Sequence, residues 1–169
     1  MIRNMMSNSN KGLGTTDVLP VDQSRIEVLN GTVDYKNVPL GSYDILGRFA
    51  SAGQRDYTEE LNLIQSMGFN AYRISISWAR IFPSGEELQP SEEGLKYYEA
   101  IIDDVLEKDI EPIVTLSHFD LPLNLYEKYG AWKSRKMIEL FERYAEAVFQ
   151  HFKDKVKYWI TFNEFNVLH

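Results

Sequence analysis

The stretch Phe69-Asn70-Ala71-Tyr72-Arg73-Ile74-Ser75-Ile76-Ser77 decides the fold class of this chain. Its aromatic and β-branched residues are typical of a strand. Two similar stretches follow, near residues 111–117 and 156–162, and stretches with helical spacing separate the three. Near-continuously apolar strands that alternate with helices are typical of a parallel sheet covered on both faces. The sequence therefore predicts an α/β fold with parallel strands at these three places.

Helical patterns precede and separate the predicted strands. Asp56 and Glu59 have the spacing of a capping box for a first helix that ends at Gly68. Ser91 is a capping residue for a second helix, with acidic residues in its first turn. A third helix is indicated by one apolar face: Met137, Leu140, Phe141, Tyr144, Ala145, Val148 and Phe152.

Length and composition describe an ordinary globular chain with one domain. The chain has 169 residues, 44% hydrophobic and 25% charged, and we divide it into an irregular N-terminal segment (1–55) and βα units (56–169). Its net charge of -7 argues against a nucleic-acid partner. No stretch is apolar enough for a membrane span or a signal peptide, so we expect no membrane partner and a cytoplasmic location. The absence of cysteine excludes disulfides, thiolate catalysis and Cys-based metal sites.

Polar side chains follow each predicted strand. Trp78 and Arg80 come after the first strand, His118-Phe119-Asp120 after the second, and Asn163 with Glu164 after the third. Active sites of parallel α/β proteins lie beyond the carboxyl ends of the strands. We therefore expect all these side chains to face one side of the sheet.

Each of these polar residues also has a purely structural interpretation. Arg73 lies inside a strand, where it is either half of an internal salt bridge or the partner of a catalytic carboxylate. His118 is either a hydrogen-bonded structural histidine or a ligand. Glu164 is either a solvated loop residue or a carboxyl group placed in a pocket mouth.

Four motifs, spread from the N-terminal region to the end of the chain, favour the functional interpretations of these residues over the structural ones. They are Arg73-Ile74-Ser75-Ile76-Ser77-Trp78-Ala79-Arg80-Ile81-Phe82-Pro83, Ser117-His118-Phe119-Asp120-Leu121-Pro122, Lys155-Val156-Lys157-Tyr158-Trp159 with Thr161-Phe162-Asn163-Glu164, and more weakly Lys11-Gly12-Leu13 with Asp17-Val18-Leu19-Pro20. In order and spacing they resemble glycoside hydrolase family 1 from about Asp56 to the end.

The resemblance implies a (β/α)8 TIM barrel that hydrolyses β-linked glycosides with retention of configuration. By the same resemblance, Glu164 is the general acid/base and Asn163 bonds the sugar 2-hydroxyl. His118 bonds another sugar hydroxyl, and Arg73 holds the nucleophilic carboxylate. Retention requires this second carboxyl about 5–5.5 Å from the first. No metal and no cofactor are implied.

Details of the motifs resemble the branch of the family that acts on 6-phospho-β-glucosides. Phe119 and Phe165 stand where other members usually carry Trp and Pro, and the segments 121–125 and 127–130 are similar to that branch. The implied substrate is a phosphorylated β-glycoside; the alternative is an unphosphorylated β-glycoside.

The chain resembles only the N-terminal portion of the family, which is less than half a barrel. The family's nucleophile, a Glu followed by Asn-Gly, has no match in these residues, nor does the first barrel strand. We therefore expect a truncated form that is inactive by itself.

Two other functions are compatible with the residues. A non-catalytic half-barrel would act through self-association of exposed barrel edges. In that case four apolar residues that we expect in the barrel interior would be exposed: Ile74, Ile76, Val114 and Ile160. A different barrel hydrolase could bind a metal through His118, Glu164 and His169.

Overall fold

The computed structural model describes residues 11–12, 14–15, 57–164 and 166. The predicted capping residue Asp56, Phe165, His169 and most of the segment 1–55 lie outside the described residues. The described elements, in chain order, are α1 (Tyr57–Ser66), β1 (Ala71–Ser75), α2 (Trp78–Ile81), α3 (Glu92–Glu107), β2 (Glu111–Ser117), α4 (Leu123–Tyr129), a 3-10 turn (Ala131–Lys133), α5 (Lys136–Phe152) and β3 (Tyr158–Phe162).

The strands form one parallel sheet with β2 in the centre. The order is β1-β2-β3, and Arg73 pairs with Ile113 while Thr115 pairs with Ile160. The three predicted parallel strands are thereby confirmed, although β1 is shorter than the stretch 69–77. Ile76 still donates its backbone N–H to the Thr115 carbonyl at 3.0 Å, so pairing continues just beyond β1.

The two faces of the sheet carry different side chains. Val114 and Ile76 are 0% and 2% exposed and belong to the hydrophobic core under the helices, with Ile74 packed against it. Our expectation that these three line the barrel interior is therefore wrong. Side chains alternate along a strand, and the polar set containing Arg73 and Thr115 occupies the other face.

The helix-covered face is packed by the apolar sides of α3 and α5. The apolar residues of helical spacing in α3 and α5 are buried: Leu95, Tyr98, Ile101, Ile102 and Val105 of α3, and Met137, Leu140, Tyr144, Val148 and Phe152 of α5. Ser91 caps α3 as predicted, because its Oγ accepts a hydrogen bond from the Gly94 N–H at 3.1 Å. Burying one such apolar side chain stabilises the folded state by about 1.5–3 kcal/mol, so the apolar faces of α3 and α5 hold these helices against the sheet.

Two short helices were not predicted from the sequence. The four-residue helix α2 and the seven-residue helix α4 follow β1 and β2. They are too short to produce a clear apolar period. Gly130 ends α4 in the left-handed conformation, with φ 69°. In the described ranges, no helix combines the length and apolarity that crossing a bilayer requires.

Candidate active site

The predicted site residues gather beyond the carboxyl ends of β2 and β3. His118 follows β2 directly, and Asn163 and Glu164 follow β3. The Asn163 N–H donates to the Ser117 carbonyl at 2.8 Å, which extends the pairing of the two strands by one residue. His118 and Glu164 therefore lie at the same end of the sheet, as the sequence predicts.

Arg73 connects all three strands through its side chain. Its Nε donates to the Thr115 hydroxyl at 2.9 Å, and its Nη2 donates to Asn163 Oδ1 at 2.8 Å. Within the described part of the chain, no carboxylate pairs with Arg73, so the internal salt bridge is not formed there. Among the described residues its partners are neutral oxygens, and the Arg73 side chain itself is exposed.

The bond to Arg73 also sets the orientation of the Asn163 amide. A guanidinium has only donors, so the amide oxygen must face it. The Nδ2 group of Asn163 then points elsewhere with two N–H donors. Asn163 can therefore offer hydrogen bonds to a hydroxyl-rich ligand next to Glu164.

Glu164 has an unusual backbone conformation. Its φ is 42°, in the left-handed region, which costs a non-glycine residue free energy. Such conformations cluster at functional sites, where neighbouring contacts hold them. The side chain is exposed, so the described residues leave the carboxyl open to an incoming group.

His118 lies in a turn that is held from three directions. Its ring packs edge-on against Phe119, with 5.4 Å between centroids, and Phe119 has φ 63°. Ser77 Oγ donates to Asp120 Oδ2 at 2.6 Å, which ties this turn to the end of β1. Thr15 donates its hydroxyl to the Phe119 carbonyl at 3.2 Å. The sequence indicates Asp120 as part of this turn, whereas the contacts of Ser77 and Thr15 were missed, since they join distant parts of the chain.

Trp78 and Arg80 do not face this site, so that expectation is wrong. Trp78 is 1% exposed and stacks on Tyr144, with 5.1 Å between ring centroids and 10° between planes. The Arg80 guanidinium lies 4.1 Å from the centre of the Tyr97 ring of α3. Because α2 begins at Trp78, the chain turns toward the helices as soon as it leaves β1.

Thr115 is a further residue that sequence reasoning missed. It is 0% exposed and lies in the middle of β2, between apolar neighbours. A buried hydroxyl requires a hydrogen-bond partner, and a threonine inside an apolar strand is the one signal that could have indicated a role.

Only part of the alternative metal site, His118, Glu164 and His169, lies in the described residues. His118 and Glu164 are described, whereas His169 lies outside the described residues. Among the side chains that the structure describes, no group of three His, Asp or Glu residues is placed to hold a metal ion.

Known glycosidases resemble this chain in sequence and in fold. The aryl-phospho-β-D-glucosidase BglH of Bacillus subtilis is 45% identical over 158 residues, which cover 94% of this chain and 32% of that protein. Beta-glucosidase 25 of Oryza sativa is 53% identical over 108 residues, which cover 64% of this chain and 21% of that protein. A family 1 β-glucosidase structure from Thermotoga maritima has a TM-score of 0.62 and 42% identity, covering 66% of this chain and 26% of that one.

The family assignment follows from the extent of these matches. The chain spans about a third of the length of the curated relatives that match most of it. The described strands and helices are part of the (β/α)8 barrel of the family. The sequence profile of glycosyl hydrolase family 1 matches residues 40–169, and the chain belongs to that family.

Proposed function

We propose that this chain carries the acid/base side of a retaining β-glycosidase site. The observation that carries the proposal is the bond from Arg73 to Asn163, directly beside Glu164 at the carboxyl end of the sheet. It brings together a fixed positive charge, an oriented amide and a carboxyl group. Retaining hydrolysis uses a carboxyl group as acid/base, a second carboxylate as nucleophile and hydrogen bonds to the sugar 2-hydroxyl, and a nearby positive charge favours the ionised nucleophile.

Each residue has a role in the proposed reaction. Glu164 protonates the leaving oxygen, then removes a proton from the water that attacks the glycosyl-enzyme. The positive charge of Arg73 stabilises an ionised nucleophilic carboxylate nearby. Asn163 donates from Nδ2 to the sugar 2-hydroxyl, and His118 bonds another hydroxyl. Both bonds orient the sugar for attack.

The substrate class that we propose is the 6-phospho-β-glucosides. The BglH relative and the phospho-cellobiase of Klebsiella oxytoca align with 94% and 93% of this chain, and both names specify a phosphorylated substrate. The rice β-glucosidase aligns with 64%. An unphosphorylated β-glucoside is the second candidate, favoured by the higher identity of the rice enzyme, 53%, over that shorter region.

A cytoplasmic location follows from the proposed substrate. A sugar phosphate is negatively charged, and a charged group is costly to move through hydrocarbon. The substrate therefore stays in the compartment where it is phosphorylated. An enzyme that uses it works there.

We also propose that the 169-residue polypeptide does not turn over substrate by itself. Its sequence contains no Glu-Asn-Gly, which is the nucleophile motif of the family. General acid catalysis alone contributes about 10²–10⁴-fold. Asp120 is not a substitute nucleophile, because its carboxylate is bonded to Ser77 in the turn that carries His118.

A chimera tests the proposed function. The chain replaces the matching 158-residue region of the BglH relative, and hydrolysis of a chromogenic 6-phospho-β-glucoside and of its unphosphorylated counterpart is measured. We expect turnover with preference for the phosphorylated substrate. Glu164→Gln should lower kcat by about 10²–10⁴-fold, whereas Glu142→Gln, an exposed position on α5, should leave it unchanged.

Two outcomes would contradict the proposal. A folded chimera with no activity would contradict the proposed glycosidase function. An active Glu164→Gln chimera would contradict the proposed acid/base role of Glu164. The 169-residue chain is assayed in parallel. Turnover by it that vanishes with Glu164→Gln would show that another carboxylate completes the site.

The second candidate function is a non-catalytic half-barrel that self-associates. Within the described sheet, β1 and β3 are each paired on one side only, by β2. An unpaired strand edge can pair with another copy of the chain. A molecular mass that rises with concentration in light scattering would support this candidate, and a monomer at every concentration would contradict it.

A further inference from the structure

The Thr115 hydroxyl lies where it can control the orientation of Arg73. Its side chain is buried in the centre of β2, on the face of the sheet that carries the guanidinium. The Thr115 Oγ1 accepts from Arg73 Nε at 2.9 Å, although the two residues are 42 positions apart in sequence.

Two bonds on one edge fix the plane of the guanidinium. Nε and Nη2 lie on the same edge of this rigid, planar group. Thr115 occupies Nε, and Asn163 occupies Nη2 at 2.8 Å. Rotation of the guanidinium about the Cδ–Nε bond would break both contacts. The opposite edge, with Nη1, consequently has one defined direction.

We propose that Thr115 is a positioning residue, which sets the plane of Arg73 and through it the amide of Asn163 before any ligand binds. That the Nη1 edge of Arg73 holds a carboxylate rests on the proposed glycosidase function. The hydrogen bonds of Arg73 to Thr115 and Asn163 do not depend on that function. Preorganised donors of this kind need no rearrangement when charge develops in a reaction.

Substitutions at Thr115 separate its hydroxyl from its shape. Thr115→Val keeps the branched side chain, which suits a buried strand, and removes the acceptor for Nε. Thr115→Ser keeps the acceptor and removes a methyl group. A packing role predicts that Ser is the more harmful change, whereas a positioning role predicts that Ser restores what Val loses.

The experiment observes Arg73 directly in the complete chain labelled with 15N-arginine. The Arg73 Nε–H signal is identified by its loss in Arg73→Lys, and the spectrum stays readable if the chain dimerises. We expect this proton to exchange with water about tenfold more slowly than that of Arg135, as for a hydrogen-bonded group. Arg135 is exposed at the start of α5.

The variants then assign the protection to Thr115. Thr115→Val should move the Arg73 signal and raise its exchange rate to that of Arg135, and Thr115→Ser should restore both. Ser75→Ala is the control, because Ser75 is exposed on β1 near Arg73 and should change neither.

The proposal is overturned if Thr115→Val leaves the Arg73 signal and its exchange rate as they were. Equal exchange rates for Arg73 and Arg135 in the unsubstituted chain would overturn it without any variant. An inactive chimera combined with a protected Arg73 signal would contradict the glycosidase function and leave the positioning role of Thr115 intact.

Discussion

At the scale of single residues, Arg73 shows how a strand accommodates a charged side chain. The Arg73 side chain is exposed, although it belongs to a strand. The hydroxyl of Thr115 and the amide of Asn163 accept hydrogen bonds from the guanidinium. Within the described residues no carboxylate neutralises it, so its charge can act on an anionic group.

The pKa of Glu86 should make the stability of the fold depend on pH. Its carboxylate accepts hydrogen bonds from Tyr129 at 2.6 Å, Lys128 at 2.9 Å and Asn124 at 3.1 Å. The bond from Tyr129, followed by those from Lys128 and Asn124, lowers the pKa of Glu86 from 4.5 to about 2. These contacts join the loop after α2 to α4.

Because the folded pKa of Glu86 is depressed, its stabilisation is present above pH 4.5 and is lost as the pH falls toward about 2. We predict that Glu86→Gln lowers the free energy of unfolding by about 1 kcal/mol at neutral pH. The difference from the parent should shrink through that window. Denaturant unfolding at several pH values measures it, with Glu142→Gln as the control. A difference that does not vary with pH would contradict the prediction.

Tyr144 should stabilise the ends of β1 and β2. Its buried Oη lies 2.8 Å from the Leu116 carbonyl and 3.1 Å from the Ile76 carbonyl, so one proton serves both acceptors. We predict that Tyr144→Phe lowers the free energy of unfolding by about 1–2 kcal/mol in urea. Tyr158→Phe, at a position 56% exposed, should change it by less than about 0.5 kcal/mol. Equal effects of the two substitutions would contradict this role.

At the scale of elements, α3 shows how local chemistry sets a boundary. Ser91 accepts from the Gly94 N–H at 3.1 Å, and Glu92 and Glu93 lie in the first turn near the positive end of the helix dipole. The helix therefore begins where the sequence predicts. By contrast, α2 has four residues and only two residues separate it from the preceding strand, so no periodic pattern could indicate it.

We predict that Ser91→Ala destabilises the chain by about 1 kcal/mol, because one N–H at the start of α3 loses its acceptor. Ser91→Asp should retain most of the stability, since its carboxylate can accept the same bond. Thermal unfolding followed by circular dichroism compares the variants. Alanine and aspartate variants with the same midpoint would show that the cap does not stabilise α3.

At the scale of the whole molecule, exposed apolar surface and strand edges favour self-association. Leu63, Met67 and Phe69 lie at or just beyond the end of α1 and are 61%, 63% and 55% exposed. Residues four apart on a helix share a face, so the first two are neighbours. Contiguous apolar surface of this kind favours contact with another molecule.

We predict that the chain forms dimers or larger species whose mass rises with concentration. Light scattering after size-exclusion chromatography measures this. The double substitution Leu63→Lys and Met67→Lys should shift the distribution toward the monomer, because a charge opposes burial of the surface. Leu88→Lys is the control, at a loop position that is 79% exposed. A monomeric parent chain at every concentration would contradict the prediction.

The sequence by itself determined the parallel strands, the amphipathic helices, the Ser91 cap and the family. The strands, helices and cap depend on residues close together in the chain, and the family is indicated by short motifs and their order. Strands, helices and caps have local periods and local hydrogen bonds. The polar residues after β2 and β3 could also be placed at one end, because parallel strands share their carboxyl ends.

Only the tertiary structure decided which face of each strand is covered and which groups bond across the sheet. Ile74, Val114 and Trp78 pack against side chains of the helices. Those helices come from other parts of the chain, and they cover this face of the sheet. The partners of Arg73 are 42 and 90 positions away. Contacts at such separations form only when the three strands pair in one register, and that register is specified by which face of each strand is buried.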